Sequence, residues 1–231
     1  MDIGIMGAGQ VAQIIGSKLL EKGNRVRISS RNIDAEKDKG PFGKFPSARQ
    51  WRDEQAGKGR QAFAGGFREA AEFGELVFNC TAGQGSLEAL AAAGEENLAG
   101  KILIDLANPL DFSKGMPPSL SICNTESLGE RIQQAFPRTK VVKTLNTVNA
   151  LIMANPSLVP GDHDLFISGN DAESKAMVTE MVLKKWFHWK SVVDLGDISA
   201  ARAMEMYLPL WLRLMGALKT ANFNIRVVKG N

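Results

Sequence analysis

The chain has 231 residues, and 28 Lys and Arg against 25 Asp and Glu give it a formal net charge of only +3. This length accommodates one large domain or a main domain with a small companion, and 44% hydrophobic residues suffice for a sizeable core. So small a charge excess gives no field that would indicate a nucleic acid partner, and the composition excludes a disordered or collagen-like chain. The two cysteines, Cys80 and Cys123, form no CxxC spacing, so we expect neither a disulfide framework nor a metal site.

The N-terminal residues are typical of a strand rather than a targeting signal. They read MDIGIM, with an acid at position 2 and none of the basic residues that open a signal peptide. The apolar stretch at 208–218 falls short of the ~20 residues of a membrane span and is interrupted by Arg213. We therefore expect a cytoplasmic protein with no membrane partner.

Short apolar runs alternate with helical patterns along the chain, which predicts βαβ units and a parallel sheet. The predicted strands cover 2–6, 25–29, 61–64, 75–80, 101–106, 140–145, 164–168, 191–195 and 223–228. The predicted helices cover 11–22, 47–55, 68–73, 87–93, 126–136, 171–187 and 199–218, with Ser86 as the N-cap of the fourth and a break near Pro209 in the last. This order predicts an α/β fold with a Rossmann-type, doubly wound parallel sheet at residues 1–150 and a smaller C-terminal α/β extension at 151–231.

A glycine-rich turn directly follows the first predicted strand. Residues 7–12 read GAGQVA, the GxGxxA form of the dinucleotide fingerprint. Gly7 permits the tight turn, Gly9 lets a pyrophosphate approach the backbone, and Ala12 keeps the helix close to the strand. The helix N-terminus then offers free N–H groups and a positive dipole to the phosphates. A strand before the turn and a helix after it favour dinucleotide binding over a merely structural turn.

The end of the second predicted strand favours NADP over NAD. An NAD-selective fold carries an acid there, whereas this chain reads Ser29-Ser30-Arg31-Asn32. A serine hydroxyl and the Arg31 guanidinium suit a 2′-phosphate, which a carboxylate would repel. Lys37 or Lys39 could add a second positive charge. The segment from Arg25 to Arg60 carries ten Lys and Arg against five Asp and Glu, so the surplus charge of the chain lies where a 2′-phosphate would be recognised.

Polar and small residues follow three further strands at the same edge of the predicted sheet. They are Thr81-Ala82 after the fourth strand of the Rossmann part, Ala107-Asn108-Pro109 after the fifth and Asn146-Thr147 after the sixth. Because ligands of open α/β sheets lie beyond the carboxyl ends of the strands, we expect these residues to border one crevice. The small residues leave room for a ribose and a nicotinamide, and Asn108 could bond a ribose or a carboxamide.

Several of these segments together resemble the NADPH-dependent coenzyme F420 reductase family, also called F420-dependent NADP oxidoreductases. They are residues 3–12 (IGIMGAGQVA), Ser30-Arg31, 142–147 (VKTLNT), 196–198 (GDI) and 205–209 (EMYLP). The resemblance covers essentially the whole chain, and the VKTLNT segment and the tail are its more specific parts. At positions 8–10 the chain reads Ala-Gly-Gln, where archaeal members carry Thr-Gly-Asn or Thr-Gly-Ser, so it is more similar to a bacterial branch.

The resemblance implies a dimeric enzyme that moves hydride between NADP(H) and a deazaflavin. We expect coenzyme F420 or a flavin as the co-substrate. By similarity, Gly9, Gln10 and Val11 would contact the pyrophosphate and Ser30 and Arg31 the 2′-phosphate. Ala82 and Pro109 would lie on the nicotinamide side. Members of the bacterial branch carry the family name without necessarily using the deazaflavin, so the acceptor stays open.

The sequence offers no catalytic triad, metal cluster or paired carboxylates, and we identify no catalytic residue. His163 and His188 lie in a loop and at a helix end, and the single tyrosine, Tyr207, falls in an apolar helical stretch. Hydride transfer between two bound rings needs little more than stacking and a short distance, since the cofactor carries the chemistry. The alternatives are a reductase of a small carbonyl or imine, which would need a proton donor, and a non-catalytic NADP sensor.

The C-terminal part also bears on assembly. Apolar residues recur at helical spacing there, namely Met204, Leu208, Trp211, Leu212 and Met215. Core burial and a dimer interface both suit a face rich in Met and Trp. We predict a homodimer in which residues 151–231 supply the acceptor site and the dimer contacts.

Overall fold

The structure, a computed structural model, describes residues 1–38 and 44–230. Its strands in chain order are β1 (Asp2–Met6), β2 (Arg25–Ser29), β3 (Lys37–Asp38), β4 (Lys44–Phe45), β5 (Ala62–Gly65), β6 (Leu76–Asn79), β7 (Ile102–Asp105), β8 (Leu110–Asp111), β9 (Ser119–Leu120), β10 (Lys140–Thr144), β11 (Asp164–Gly169) and β12 (Ser191–Asp194). The helices are α1 (Gln10–Glu21), α2 (Ala48–Gly57), α3 (Phe67–Phe73), α4 (Ser86–Ala93), α5 (Glu95–Leu98), α6 (Leu128–Ala135), α7 (Ala150–Ala154), α8 (Ala172–Met177), α9 (Ala201–Met206) and α10 (Leu208–Leu218). A π-helix (Val178–Trp186) continues α8 without a break.

Eight strands form one sheet in the order β12-β11-β10-β7-β6-β1-β2-β5. Every neighbouring pair in it is parallel except β10 and β11. Strands β3 and β4, and β8 and β9, form two short antiparallel ribbons that the sequence did not predict. The predicted α/β class and Rossmann-type sheet are confirmed. The strand order reverses beside β1, which is the position where such sheets bind ligands.

The two faces of the sheet carry separate layers of helices because side chains alternate along each strand. Ile3 and Ile5 of β1 point to one face, where they pack in a cluster with α1, α2, α7 and the π-helix. Met6 points to the opposite face and joins a second cluster with α3, α4, α5, α6 and α9. All three side chains are fully buried, and burial of each such side chain contributes roughly 1.5–3 kcal/mol. Two covered faces give the doubly wound arrangement expected from βαβ units.

The antiparallel strand β11 begins at the functional edge of the sheet and runs away from it. Because β11 runs opposite to β10, its first residue, Asp164, lies toward the edge at which β10 ends. Strand β12 is parallel to β11, so both strands of the segment 151–231 extend the main sheet. The division of the chain at residue 150 stays a prediction.

Three details of the predicted elements are wrong. Residues 223–228 form no strand: the tail runs extended, and the N–H of Asp164 donates to the carbonyl of Ile225 over 2.9 Å, but no ladder follows. Ser86 is the first residue of α4 rather than its cap, since its buried hydroxyl accepts a bond from Asn79 and Gly85 occupies the N-cap. Helix α6 begins at Leu128, because Ser127 caps it by accepting a bond from the N–H of Glu130.

No helix within the described ranges is both long and apolar enough to cross a bilayer.

Candidate functional site

The turn between β1 and α1 has the backbone geometry of a phosphate-binding loop. Gly7 has a φ of 112°, and a Cβ there would lie 2.8 Å from the carbonyl oxygen of Cys80, so the turn requires glycine. Gly9 occupies the N-cap of α1, where no side chain caps the helix and no acid lies in the first turn. The first N–H groups of α1 are therefore left for an anion, and the helix dipole favours one.

Beside this turn lies a cavity of about 280 Å³, which we call the Arg31 cavity. The glycine turn, the end of β2 and the start of α4 form its walls. Its two charged lining residues among those described are Arg31 and Glu88, whose Nη1 and Oε1 atoms are 3.4 Å apart. Both side chains are more than two thirds exposed, so a ligand can reach either one.

A second cavity of about 210 Å³, which we call the Asn108 cavity, lies where β6, β7 and β10 end. Its apolar walls include Leu106, Leu110, Val148, Met153, Leu208 and Trp211. Asn108, Asn146 and Thr147 contribute its polar groups. The two cavities share Cys80, Thr81 and Ala82, so together they form one crevice along the carboxyl ends of the strands.

Asn108 and Asn146 form a reciprocal pair across the Asn108 cavity. The Nδ2 of Asn108 donates to the carbonyl of Asn146 over 2.9 Å, and the Nδ2 of Asn146 donates to the Oδ1 of Asn108 over 3.0 Å. The Oδ1 of Asn146 is buried and has no hydrogen-bond partner. An unpaired buried acceptor is costly, so this atom is the natural partner of an N–H group on a ligand.

The structure brings most of the predicted site residues to this crevice. Gly7, Gly9, Ser30 and Arg31 line the Arg31 cavity, Val11, Ala107 and Asn108 line the Asn108 cavity, and Thr81 and Ala82 line both. Gln10 and Pro109 line neither cavity: Gln10 faces a groove toward α2, and the carbonyl of Pro109 accepts bonds from Ser121. Lys39 and the side chain of Lys37 lie outside the described residues.

Neither histidine nor the tyrosine lies at the crevice. His163 contacts Asn224 and the carbonyl of Pro156, and its ring meets Trp189 edge-on at 5.3 Å. His188 is near the surface, where desolvation and the ammonium of Lys22 lower its pKa. The hydroxyl of Tyr207 is buried without a partner, and this burial raises its pKa.

A buried charged cluster behind the Asn108 cavity was missed by sequence reasoning. The fully buried Nζ of Lys143 lies 2.8 Å from the Oδ2 of Asp105 and 2.9 Å from the Oε1 of Glu205, and it also donates to the carbonyl of Ala107. The two carboxylates raise the pKa of Lys143 against the opposing effect of burial. A lysine and an aspartate that directly follow the apolar runs 141–142 and 102–104 were the available signal. Their partner on α9, 62 residues further along the chain from Lys143, has no local signature.

The cysteine at the junction of the two cavities is poorly suited to act as a thiolate nucleophile. Cys80 is half-buried, and desolvation raises the pKa of its thiol. No three potential metal-ligating side chains cluster anywhere in the described part of the chain.

The chain is similar to several known proteins. The family model for NADP oxidoreductase, coenzyme F420-dependent, matches residues 2–109. A solved structure from Arthrobacter sp. FB24, provisionally described as an F420-dependent NADP reductase, is 48% identical, with a TM-score of 0.89 over 99% of this chain and 100% of the other. The F420-dependent NADP reductase of Methanocaldococcus jannaschii is 26% identical over 98% of both chains.

A third relative is much longer. The metalloreductase STEAP3 of Rattus norvegicus is 29% identical over 90% of this chain, and the match spans only 37% of that protein's length.

Proposed function

Since the chain belongs to the family of F420-dependent NADP oxidoreductases, we propose that it transfers hydride between NADPH and a flavin-like ring, either coenzyme F420 or a flavin. That it is an NADP-dependent oxidoreductase follows from its relatives. The proposal adds the class of acceptor and the residues that hold each partner.

The observation that carries the proposal is the neutrality of the Asn108 cavity. Among its lining residues within the described ranges, Cys80 is the one titratable side chain, and burial raises its pKa. Reduction of a carbonyl needs a positioned acid, which this cavity lacks. Lys143, whose ammonium binds the carbonyl of Ala107 behind the cavity, is fully buried and its Nζ already has three acceptors, so it offers no free N–H to a ligand in the cavity. The uncharged walls of the Asn108 cavity suit a ring that accepts hydride without an enzymatic acid better than they suit a carbonyl substrate.

We place an extended dinucleotide along the crevice in the direction that the sequence predicts. The uncapped N-terminus of α1 would hold the pyrophosphate, and Ser30 with Arg31 would hold the 2′-phosphate. The unpaired Oδ1 of Asn146 would accept a bond from the carboxamide, and Asn108 keeps the Asn146 side chain in place. When bound, the nicotinamide supplies the hydride.

The C-terminal part supports the proposal by closing the outer side of the Asn108 cavity. Leu208 and Trp211 of α10 line it, and the indole of Trp211 stacks on Phe223 at a centroid distance of 5.4 Å. Apolar walls of this kind exclude water from a hydride in transfer. We assign the acceptor to this side, next to the aromatic wall.

Two further parts of the proposal concern assembly and location. We expect a homodimer, because α10 leaves Leu210 and Leu218 more than half exposed. Light scattering that gives a monomer mass at micromolar concentration would contradict this. The protein is expected in the cytoplasm, where NADPH is available.

The proposal is tested by stopped-flow measurement of NADPH oxidation with coenzyme F420, FMN, FAD and a set of simple carbonyls. We expect turnover with at least one ring acceptor and none with the carbonyls. Turnover with a carbonyl alone would replace the proposal by a carbonyl or imine reductase. Tight NADPH binding without oxidation by any acceptor would indicate a sensor.

A further inference from the structure

The outer wall of the Asn108 cavity is poorly held by its own helix. Of the eleven residues of α10, only Leu208 is buried, and Trp211 is half-buried. Burial of apolar side chains is what normally fixes a helix, so within one chain α10 gains little from burial. Two neighbouring segments hold the wall: Phe223, on which Trp211 stacks, and the residues that precede α10.

The preceding helix α9 is anchored firmly, and Glu205 is its main anchor. Its Oε2 and Oε1 accept bonds from the N–H groups of Leu128 and Gly129, over 2.8 and 3.0 Å, at the start of α6. The same Oε1 lies 2.9 Å from the Nζ of Lys143. Glu205 is 1% exposed, so these bonds form away from water. Through Tyr207 the helical path runs on into α10, because the N–H of Trp211 donates to the carbonyl of Tyr207 over 3.0 Å.

Lys143 joins this anchor to the inner side of the same cavity. Its Nζ also binds the Oδ2 of Asp105 over 2.8 Å and the carbonyl of Ala107, which lines the cavity. The Oδ1 of Asp105 in turn accepts bonds from the N–H of Ala107 and from the Nδ2 of Asn79. The Lys143 ammonium thus connects the end of β7 with α9, the helix that precedes the wall formed by Leu208 and Trp211.

The charges explain why this cluster is rigid. Two carboxylates and one ammonium leave one negative charge, and the N-terminus of α6 faces it with two N–H groups and the positive end of the helix dipole. Every member is at least 99% buried, so loss of one partner leaves another unpaired in the interior. Glu205 therefore cannot shift without breaking three interactions at once.

We propose that Glu205 is a positioning residue which, through Lys143, fixes Leu208 and Trp211 against the Asn108 cavity and thereby sets how closely the hydride acceptor approaches the nicotinamide. The proposal rests on the function proposed above. It goes beyond that function by assigning a role to residues that contact neither cofactor nor acceptor.

The test is a double-mutant cycle of Glu205→Gln and Trp211→Ala. We expect Glu205→Gln to lower the rate of hydride transfer from NADPH to coenzyme F420 or FMN about 10-fold, because a small misplacement of reacting groups is costly. The Kd for NADPH should change less than about 2-fold, since the Arg31 cavity is untouched. In the Trp211→Ala background, Glu205→Gln should have almost no further effect. Equal losses in both backgrounds would overturn the proposal.

Arg202→Gln is the matched control on the same helix. Arg202 binds Glu130 at the surface of α6, so its loss removes another contact between α9 and α6 without touching Lys143. We expect the rate of hydride transfer to stay as in the wild type, and a loss as large as that of Glu205→Gln would show a general stability effect instead. If Glu205→Gln does not fold, Glu205→Asp replaces it in the double-mutant cycle with Trp211→Ala. This variant keeps the negative charge but shortens the side chain that binds Lys143 and α6.

A second readout separates this proposal from the proposed function. The solvent exposure of Trp211 in the NADPH complex, obtained from acrylamide quenching of tryptophan emission with and without Trp211→Ala, needs no acceptor. Glu205→Gln should increase this quenching, and an unchanged value would overturn the role of Glu205. If the wild type reduces neither coenzyme F420 nor FMN, the proposed function fails while the quenching still decides on Glu205.

Discussion

The guanidinium of Arg31 and the carboxylate of Glu88 lie 3.4 Å apart across the Arg31 cavity, one at the end of β2 and the other in the first turn of α4. The sequence favours NADP because no acidic residue directly follows β2. The structure adds an acid from a different element, on the same cavity as the arginine. A 2′-phosphate arriving there meets an ion pair rather than an isolated cation, which leads to two predictions.

Arg31→Ala should weaken binding of NADPH about 10- to 100-fold, because a charge-assisted bond to the 2′-phosphate contributes roughly 1.5–3 kcal/mol. Binding of NADH, which has no such phosphate, should change less than about 3-fold. Calorimetric titration with both cofactors measures the two values. Arg213→Ala, at an exposed arginine of α10, is the control. Equal losses for NADPH and NADH would mean that the 2′-phosphate lies elsewhere.

Glu88→Gln should strengthen NADPH binding roughly 3- to 10-fold at low salt, since it removes a negative charge beside the phosphate. The gain should shrink with added salt, because both side chains are exposed to solvent. NADH binding should stay the same. Glu95→Gln, which alters a first-turn glutamate of α5 that pairs with Arg138, serves as the control. A gain for both cofactors, or for neither, would contradict the assignment.

Two glycines in the turn after β6 give a matched pair for stability. A Cβ on Gly83 would lie 2.2 Å from the carbonyl oxygen of Asn108, whereas one on Gly85 would have nothing within 4 Å. Gly83→Ala must therefore push this turn away from the end of β7. We expect it to lower the free energy of unfolding by about 1–3 kcal/mol, as overpacking does. The free energy of unfolding of Gly85→Ala should stay within about 0.5 kcal/mol of the wild-type value. Denaturant unfolding measures both, and equal stabilities would refute the close approach at Gly83.

The ion pair between α9 and α6 should contribute to stability only above acidic pH. The Nε of Arg202 donates to the Oε2 of Glu130 over 2.8 Å, and this arginine lowers the pKa of the Glu130 carboxyl below its ordinary value. The contribution is therefore present above the ordinary pKa, about 4.3, and is lost as the pH falls through the lower folded value.

Because Arg202 keeps more than a third of its side chain exposed, we expect a contribution of only about 0.5–1 kcal/mol. The difference in unfolding free energy between the wild type and Arg202→Gln should be constant from about pH 7 to 5 and vanish at acidic pH. A difference that persists in strong acid would point to packing rather than charge.

The sheet and the glycine turn were predictable because their signals are local. Period-two alternation in β1 and helical spacing in α1 identify each element, and the fingerprint between them requires the backbone that Gly7 adopts. The reversal at β11 has no comparable signal, since the strand pattern of 164–168 is the same whether the strand runs parallel or antiparallel.

The tail and the buried charged cluster show why the other features of the fold and the site could not be predicted from the sequence. Phe223, Ile225 and Val227 alternate as a strand would, but Phe223 stacks on Trp211 and Asn224 bonds His163, so tertiary contacts decide the conformation. Glu88 and Glu205 acquire their roles only when distant elements meet. A glutamate on a helix has the same appearance in sequence whether it faces water or an ammonium.

The unlike surroundings of the two cysteines make the native chain selectively reactive. Cys123 is exposed, whereas the half-buried Cys80 has a raised pKa and is rarely a thiolate. A maleimide fluorophore should therefore attach at position 123 without any engineered residue. The neighbouring Asn124 contacts the sulfur of Met206 at the end of α9. A dye placed there would report movement of the helix that Glu205 anchors, in solution and during turnover.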